Sequence, residues 1–229
     1  MTKNITDVSQ RKAAVYAGLG LLIMTILAIF ANFFVFQKLI ITGNAAATAE
    51  NITANGMIFR IGIFSFLIVI VMDVVVAWAL YVFLKPVNKS LSLIASWFRL
   101  VYSAIFAVAL INYYNIFQIL SGAEYLKVFT NEQLNAKVLL SINAFNDGWN
   151  IGFVFFGIHL ALIGYLVFIS GYMPRILGVL LAAAGLGYLI DSLGKILFSN
   201  YNLTIAMFTF IGELLLMYWL LIKGSRIKD

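Results

Sequence analysis

Several ionisable side chains lie inside long apolar stretches of this sequence, where charge is costly. They are Asp73, Arg99, His159, Asp191 and Glu213. A charged side chain at the centre of a bilayer costs about 2.5–3.5 kcal/mol on insertion scales, so the four unpaired Asp, Glu and Arg charges would cost about 12 kcal/mol. That cost rivals a typical folding stability of about 5–15 kcal/mol. We therefore predict that these side chains face one another, or water, in the interior of a helix bundle, as a candidate ligand-binding cluster.

Arg99 lies in a stripe of small polar residues. Ser92, Ser96, Arg99 and Ser103 follow one another at intervals of four, three and four residues, which puts them on one face of a helix. The planar guanidinium of Arg99 could hold a carboxylate or phosphate of a ligand. In the alternative interpretation Arg99 pairs with a neighbouring carboxylate. Asp73 is then the best partner, because both residues lie near half-depth of adjacent apolar stretches.

The two other carboxylates allow several interpretations. Asp191 precedes Lys195 by four residues, the favourable direction for an ion pair along a helix, and the alternative is a cation site or gate. Glu213 lies about 15 Å from the outer end of the last apolar stretch. It either binds and releases a proton, or it is a structural acid whose hydrogen bonds are satisfied within the protein.

His159 is the only histidine of the chain. A lone intramembrane histidine could bind a metal together with carboxylates, or change its charge near neutral pH. However, the sequence contains no paired-histidine metal motif. We predict a hydrogen-bonded packing histidine, no metal site and no other cofactor. No motif for a nucleophile or a phosphate loop occurs either, so no catalytic residue is assigned.

A second polar set is predicted nearer the outer surface. It consists of Arg60, Asp147 and Lys195. These side chains could line an outer vestibule. Alternatively, they are long or terminal polar side chains that simply reach towards water at the ends of their helices.

Helices that cross a membrane must position all of these residues. The chain has 229 residues, of which 63% are hydrophobic and 10% charged, against about 25% charged in soluble domains. About 20 apolar residues span a bilayer as a helix. The alternating segments of a membrane β-barrel are absent. We predict an all-α integral membrane protein, a single domain over residues 1–229, with six transmembrane helices at about 13–36, 61–84, 91–119, 143–169, 176–198 and 203–222.

The distribution of Lys and Arg predicts the orientation. Nine of these residues lie in the two termini and the second and fourth connections, and three lie in the alternate connections. By the positive-inside rule, both termini are cytoplasmic. The net charge of +6 is then explained by cytoplasmic basic residues that contact anionic lipid headgroups. We expect the lipid bilayer as a partner and no nucleic acid, and we assign no oligomeric state.

The outer connections contain helix signals. Residues 45–55 predict a short helix or a re-entrant turn. Thr130 and Gln133 form a capping box, and we expect the helix that follows it to lie on the membrane before the chain turns inward near residue 143. Glycines recur every seven residues in the fourth and fifth helices, at positions 157, 164, 178 and 185. Small residues at such spacing predict close packing of these two helices.

Several strings of this sequence resemble a known bacterial membrane family. They are FFGIHL at 155–160, SGYMPRILGVLL at 170–181, GLGYLIDS at 185–192 and GEL at 212–214, together with LKPVN at 84–88 and FRL at 98–100. The family is catalogued as domain of unknown function 4386. The resemblance covers nearly the whole chain. It implies a six-helix protein of the bacterial cytoplasmic membrane and implies no activity.

The function is therefore predicted from the polar residues alone. The first hypothesis is that the protein binds or passes a small polar solute, an ion or a lipid headgroup at the intramembrane polar cluster. The second is a structural or sensory membrane partner protein without a substrate. The third is an intramembrane lipid-modifying enzyme, although we expect no enzymatic role.

Overall fold

A computed structural model describes residues 8–227 of the protein. Within this range the chain is helical and contains no β-strand. Its α-helices are α1 (Gln10–Ile29), α2 (Gln37–Leu39), α3 (Ala45–Ala54), α4 (Gly56–Leu84), α5 (Lys89–Ile119), α6 (Asn131–Ile169), α7 (Arg175–Leu197), α8 (Ile205–Thr209) and α9 (Ile211–Ile222). A π-helical segment, Phe30–Phe36, joins α1 to α2, and short 3-10 turns occur at Glu124–Leu126 and Gly224–Arg226.

Six helical stretches in the described part of the chain are long and apolar enough to cross a membrane. They are Gln10–Leu39, Gly56–Leu84, Lys89–Ile119, Asn131–Ile169, Arg175–Leu197 and Ile205–Arg226. The predicted all-α membrane class and the number of spans are therefore confirmed.

The fourth span differs from the prediction. The helix expected to lie on the membrane before residue 143 is instead continuous with the span, so that α6 contains 39 residues. Nothing between residues 131 and 147 interrupts the backbone, because this segment contains neither proline nor glycine. At 1.5 Å per residue α6 is about 58 Å long, against a hydrocarbon core of about 30 Å.

The predicted helix starts in the connections are confirmed. The Thr130 backbone N–H donates to Gln133 Oε1 at 2.9 Å, and the Gln133 N–H donates to Thr130 Oγ1 at 3.3 Å, which completes the capping box. Residues 45–54 form the helix α3, whose first turn is capped by the side chain of Asn44. The buried hydroxyl of Thr48 accepts from the Ile41 N–H at 2.9 Å, so this connection is folded onto itself.

The described residues form two compact units. The first comprises residues within Met1–Leu22, Met72–Tyr102 and Phe153–Asp229, and the second comprises Ile23–Val71 and Ser103–Gly152. Each unit is described by itself below. That residues 1–229 form a single domain stays a prediction.

The first unit contains the close helix packing predicted from the glycines. A Cβ atom added to Gly164 of α6 would lie 2.6 Å from the backbone nitrogen of Ala182 in α7. A Cβ added to Gly185 of α7 would lie 2.5 Å from the carbonyl oxygen of Gly157. Real side chains do not fit at such distances. The backbones of α6 and α7 therefore approach each other where both helices lack a side chain.

The second unit has an aromatic core. The ring centroids of Tyr113 and Phe145 lie 3.9 Å apart, and those of Phe106 and Trp149 lie 5.0 Å apart in a stacked arrangement. Phe66 packs between them, 5.2 Å from Phe106. Such rings bury a large apolar area each and add about 0.5–1.5 kcal/mol per favourable pair.

Candidate functional site

The polar stripe of α5 faces the interior as predicted. Ser92, Ser96, Arg99 and Ser103 are each at most 5% exposed. The Ser92 hydroxyl donates to the Tyr81 carbonyl of α4, and the Ser96 hydroxyl donates to the Ala77 carbonyl, both at 2.9 Å. These bonds satisfy buried hydroxyls and hold the stripe against α4.

Arg99 forms a buried ion pair with Asp73. The Arg99 Nη2 atom lies 2.7 Å from Asp73 Oδ1, and the two side chains are 2% and 0% exposed. The partner predicted from the position of Asp73 is therefore present. Asp73 Oδ2 is also buried and has no hydrogen-bond partner among the residues that the structure describes.

His159 is hydrogen-bonded on both ring nitrogens. Its Nδ1 lies 2.8 Å from the Ala95 carbonyl oxygen, and its Nε2 lies 3.2 Å from Arg99 Nη1. A carbonyl oxygen only accepts and a guanidinium only donates. We therefore assign the proton to Nδ1 and a lone pair to Nε2, so that His159 is neutral and accepts from Arg99. The predicted hydrogen-bonded histidine is confirmed, and it orients the guanidinium that binds Asp73.

Glu213 lies within electrostatic range of the same arginine. It stands in the first turn of α9, and its carboxyl interacts with the Tyr188 hydroxyl and with the charge of Arg99. Its Oε1 atom is buried without a hydrogen-bond partner in residues 8–227. The preceding residue allows this depth, because a Cβ on Gly212 would lie 2.7 Å from the Leu180 carbonyl oxygen of α7.

These residues define what we call the buried cluster, in which Asp73, Arg99 and His159 are buried and Tyr188 and Glu213 are half-buried. All belong to the first unit. Asp73 and Arg99 neutralise each other, and His159 is uncharged. An ionised Glu213 would therefore give the cluster a net charge of about −1, and a protonated Glu213 would leave it neutral. The net charge of the cluster therefore depends on whether Glu213 carries a proton.

Asp191 takes part in a different set of contacts. Its carboxylate accepts from the Tyr201 hydroxyl at 2.7 Å and from the Ala206 backbone N–H at 2.8 Å. The ion pair expected with Lys195 is not formed, and Lys195 is exposed. Asp191 instead supplies an acceptor to the unpaired N–H groups at the start of α8. Desolvation and the hydrogen bond to Asp191 raise the pKa of Tyr201, so the hydroxyl stays a donor at neutral pH.

The three residues of the predicted outer vestibule are exposed. The Arg60 guanidinium lies 3.8 Å from the centre of the Phe117 ring, in a cation–π contact. Asp147 and Lys195 form no ion pair with another described residue. That Arg60, Asp147 and Lys195 line a vestibule stays a prediction.

Two tyrosines of these sites were not predicted. Tyr188 contacts Glu213, and Tyr201 contacts Asp191. Tyr188 is three residues before Asp191 on α7, so the spacing indicates the same side of the helix as Asp191 but not the contact with Glu213. Tyr201 lies in a connection, where no helical period applies. In the range covered by the structure, no group of three or more His, Asp and Glu side chains is arranged to hold a metal ion.

Comparisons with known proteins identify a family and add no activity. Residues 16–224 match the family model described as Domain of unknown function (DUF4386). A protein of Archaeoglobus fulgidus, described as "Uncharacterized protein", is 40% identical over 169 residues, which are 74% of this chain and 85% of the relative. No solved structure matches the chain. The resemblance found in the sequence is confirmed, and the chain belongs to the family described as Domain of unknown function (DUF4386).

Proposed function

We propose that the buried cluster binds a proton or a small monovalent cation and allows its passage through the membrane. The observation that carries this proposal is that Arg99 pairs directly with the carboxylate of Asp73, while the inaccessible carboxyl of Glu213 lies within range of the same charge and has an Oε1 atom without a hydrogen-bond partner among residues 8–227. Leaving one buried carboxylate uncompensated is costly. A proton on Glu213, or a cation beside its unpartnered Oε1 atom, removes that cost.

The chemistry of the cluster favours a cation over the other ligands considered. A lipid phosphate or an anionic solute would add negative charge to a site that already lacks positive charge. Asp73, Arg99 and His159 hold one another in place, so Glu213 is the group that exchanges the cation. The hydroxyl of Tyr188 beside the carboxyl can donate to the ionised form and so stabilise the state without the cation.

We also propose a place for the protein in the cell. The excess of Lys and Arg in the termini and in the second and fourth connections supports cytoplasmic termini. We therefore assign the six spans to a cytoplasmic membrane.

Cation flux into liposomes tests the proposed function. The purified protein is reconstituted with an entrapped pH-sensitive, Na⁺-sensitive or K⁺-sensitive dye, and an ion gradient is imposed. We expect flux of one of these cations, and we expect Glu213→Gln to reduce it at least tenfold because the amide cannot exchange a proton or balance a cation. Glu50→Gln, an exposed acid on α3, is the matched control and should keep the flux.

Two results would contradict the proposal. In the first, the wild-type protein carries none of the three cations, and Glu213→Gln changes only the thermal stability in detergent. The cluster would then be structural, and the hypothesis of a membrane partner protein without a substrate would be favoured. The other is flux that persists in Glu213→Gln. Retained helical circular dichroism and a single gel-filtration peak establish that the variant is folded.

A further inference from the structure

A polar cleft lies in the second unit, which does not contain the buried cluster. It has a volume of about 500 Å³ and is open to the surface. The side chains with polar groups that line it are Asn112, Asn115 and Gln118 of α5, Tyr125 of the following connection, and Lys137 and Ser141 of α6. The proposed cation site uses none of these residues.

The α5 side of the cleft is a row of carboxamides. Asn112, Asn115 and Gln118 follow one another every three residues, so they point from one helix face. The Asn112 amide donates to the Ala109 carbonyl at 3.1 Å. In residues 8–227, the side chains of Asn115 and Gln118 make no hydrogen bond. Each carboxamide offers two N–H donors to a ligand.

The charge of the cleft is positive. Lys137 is the only charged residue among those that line it, and neither Asp nor Glu is present there. Its ammonium lies 3.2 Å from the centre of the Phe129 ring, and it forms no salt bridge with a described residue. The ring holds the ammonium without neutralising it. A cation and several amide donors without a competing carboxylate favour an anionic ligand.

The position of the cleft along the helices narrows the ligand class. Within the third span, which continues to Ile119, the stretch without an amide side chain ends at Ile111, and the long apolar part of α6 begins at Ile151. That second part, through Ile169, spans about 28 Å, which matches the hydrocarbon core. The polar cleft residues of both helices lie in the terminal parts of these two spans, outside the stretches that match the hydrocarbon core. This position favours the level of the lipid headgroups.

We propose that this cleft binds a phosphate group, with Lys137 supplying the charge and Asn115, Gln118 and Ser141 supplying hydrogen bonds. The phosphate belongs either to an anionic lipid headgroup or to a small phosphate compound in solution. Both sources present the same tetrahedral anion to the same donors.

Binding measurements on the full-length purified protein test this proposal. Binding of inorganic phosphate to the protein in detergent is measured by isothermal titration calorimetry. Binding of lipid is measured in nanodiscs of phosphatidylcholine with or without phosphatidic acid, where native mass spectrometry identifies the lipid that the protein retains. We expect Lys137→Gln to weaken binding of the recognised probe roughly tenfold or more, since a charge-assisted hydrogen bond is lost. Lys127→Gln is the matched control, because Lys127 is exposed, pairs with Glu124 at 2.6 Å and does not line the cleft.

The outcomes separate the two phosphate sources. Lys137-dependent binding of inorganic phosphate assigns the cleft to a compound in solution. Lys137-dependent retention of phosphatidic acid alone assigns it to a lipid headgroup. The proposal is overturned if neither probe binds, or if Lys137→Gln and Lys127→Gln bind equally well. Asn115→Leu, which keeps the charge and removes the amide, should also weaken binding, and unchanged melting temperatures show that the variants are folded.

Discussion

Arg99 is the residue on which the buried cluster depends. Its guanidinium reaches Asp73 through Nη2 and His159 through Nη1. The planar fork of arginine can serve two partners in fixed directions, whereas the ammonium of lysine is a point charge. A residue with this role need not contact a ligand, because its charge sets the electrostatic environment of Glu213, the group proposed to exchange the cation.

The energetic role of the Arg99–Asp73 pair can be measured with a double-mutant cycle. Arg99→Met should lower the free energy of unfolding by about 3–5 kcal/mol, because it leaves Asp73 buried and unpaired. The double variant Arg99→Met with Asp73→Leu should recover much of that loss, since it removes both charges. Reversible unfolding in mixed micelles, followed by circular dichroism, measures all four proteins. Additive effects of the two substitutions would show that the pair is not energetically coupled.

The contact partner of a polar side chain could be predicted only where the positions of both residues along their helices indicated that they lie close together. Asp73 could be paired with Arg99 because both lie near half-depth of neighbouring spans. Asp191 was matched with Lys195 because an interval of four residues brings side chains together on a helix. That expectation was wrong, since Tyr201 and the Ala206 N–H satisfy the same carboxylate. These partners reach it through the fold of the following connection, which no spacing along α7 indicates.

At the scale of elements, the contact of α6 with α7 depends on missing side chains. A Cβ on Gly164 would lie 2.7 Å from the Gly178 carbonyl oxygen as well as 2.6 Å from the Ala182 nitrogen. Both are backbone atoms, so neither can turn away as a flexible side chain can. Adding a methyl group there requires the helices to separate.

Gly164→Ala should therefore destabilise the protein by about 1–3 kcal/mol. The measurement is the melting temperature in detergent together with the free energy of unfolding. Gly56→Ala is the matched control, because a Cβ at Gly56 would meet no atom within 4 Å. It should leave the stability unchanged or raise it slightly through the better helix propensity of alanine. Equal effects of the two substitutions would contradict a tight α6–α7 contact.

The length of α6 shows that the local sequence pattern does not determine whether two consecutive helical segments form one straight helix. The capping box at Thr130 and Gln133 located its first turn correctly. The expected change of direction near residue 143 was wrong. An apolar period of 3.6 residues is the same for one straight helix and for two helices joined at an angle. Only packing along the whole helix distinguishes them.

At the scale of the whole molecule, the orientation in the membrane is the prediction that bears most on function. The direction of any ion movement depends on which ends of the spans face the cytoplasm. The sequence contains no Cys, so a single introduced thiol can report the side of any connection.

Val128→Cys and Lys85→Cys provide this test. Both positions are exposed, and they lie in connections predicted to be on opposite sides. We expect a membrane-impermeant maleimide to label Val128→Cys in intact cells and to label Lys85→Cys only after the membrane is opened. The reverse pattern would place the termini outside. The unmodified chain is the control, because it has no thiol to react.

The sequence by itself determined the class of this protein, its six spans, the buried stripe around Arg99 and the glycine contact of α6 with α7. These features follow from hydropathy and helical period, which depend on residues close together in the chain. Tertiary structure alone decided that Glu213 lies near Tyr188 and within range of the charge of Arg99, and that carboxamides of α5 share a cleft with Lys137. Residues from separate helices form both sites. Their distances depend on how the helices pack, and the residue pattern along each helix is compatible with many different packings.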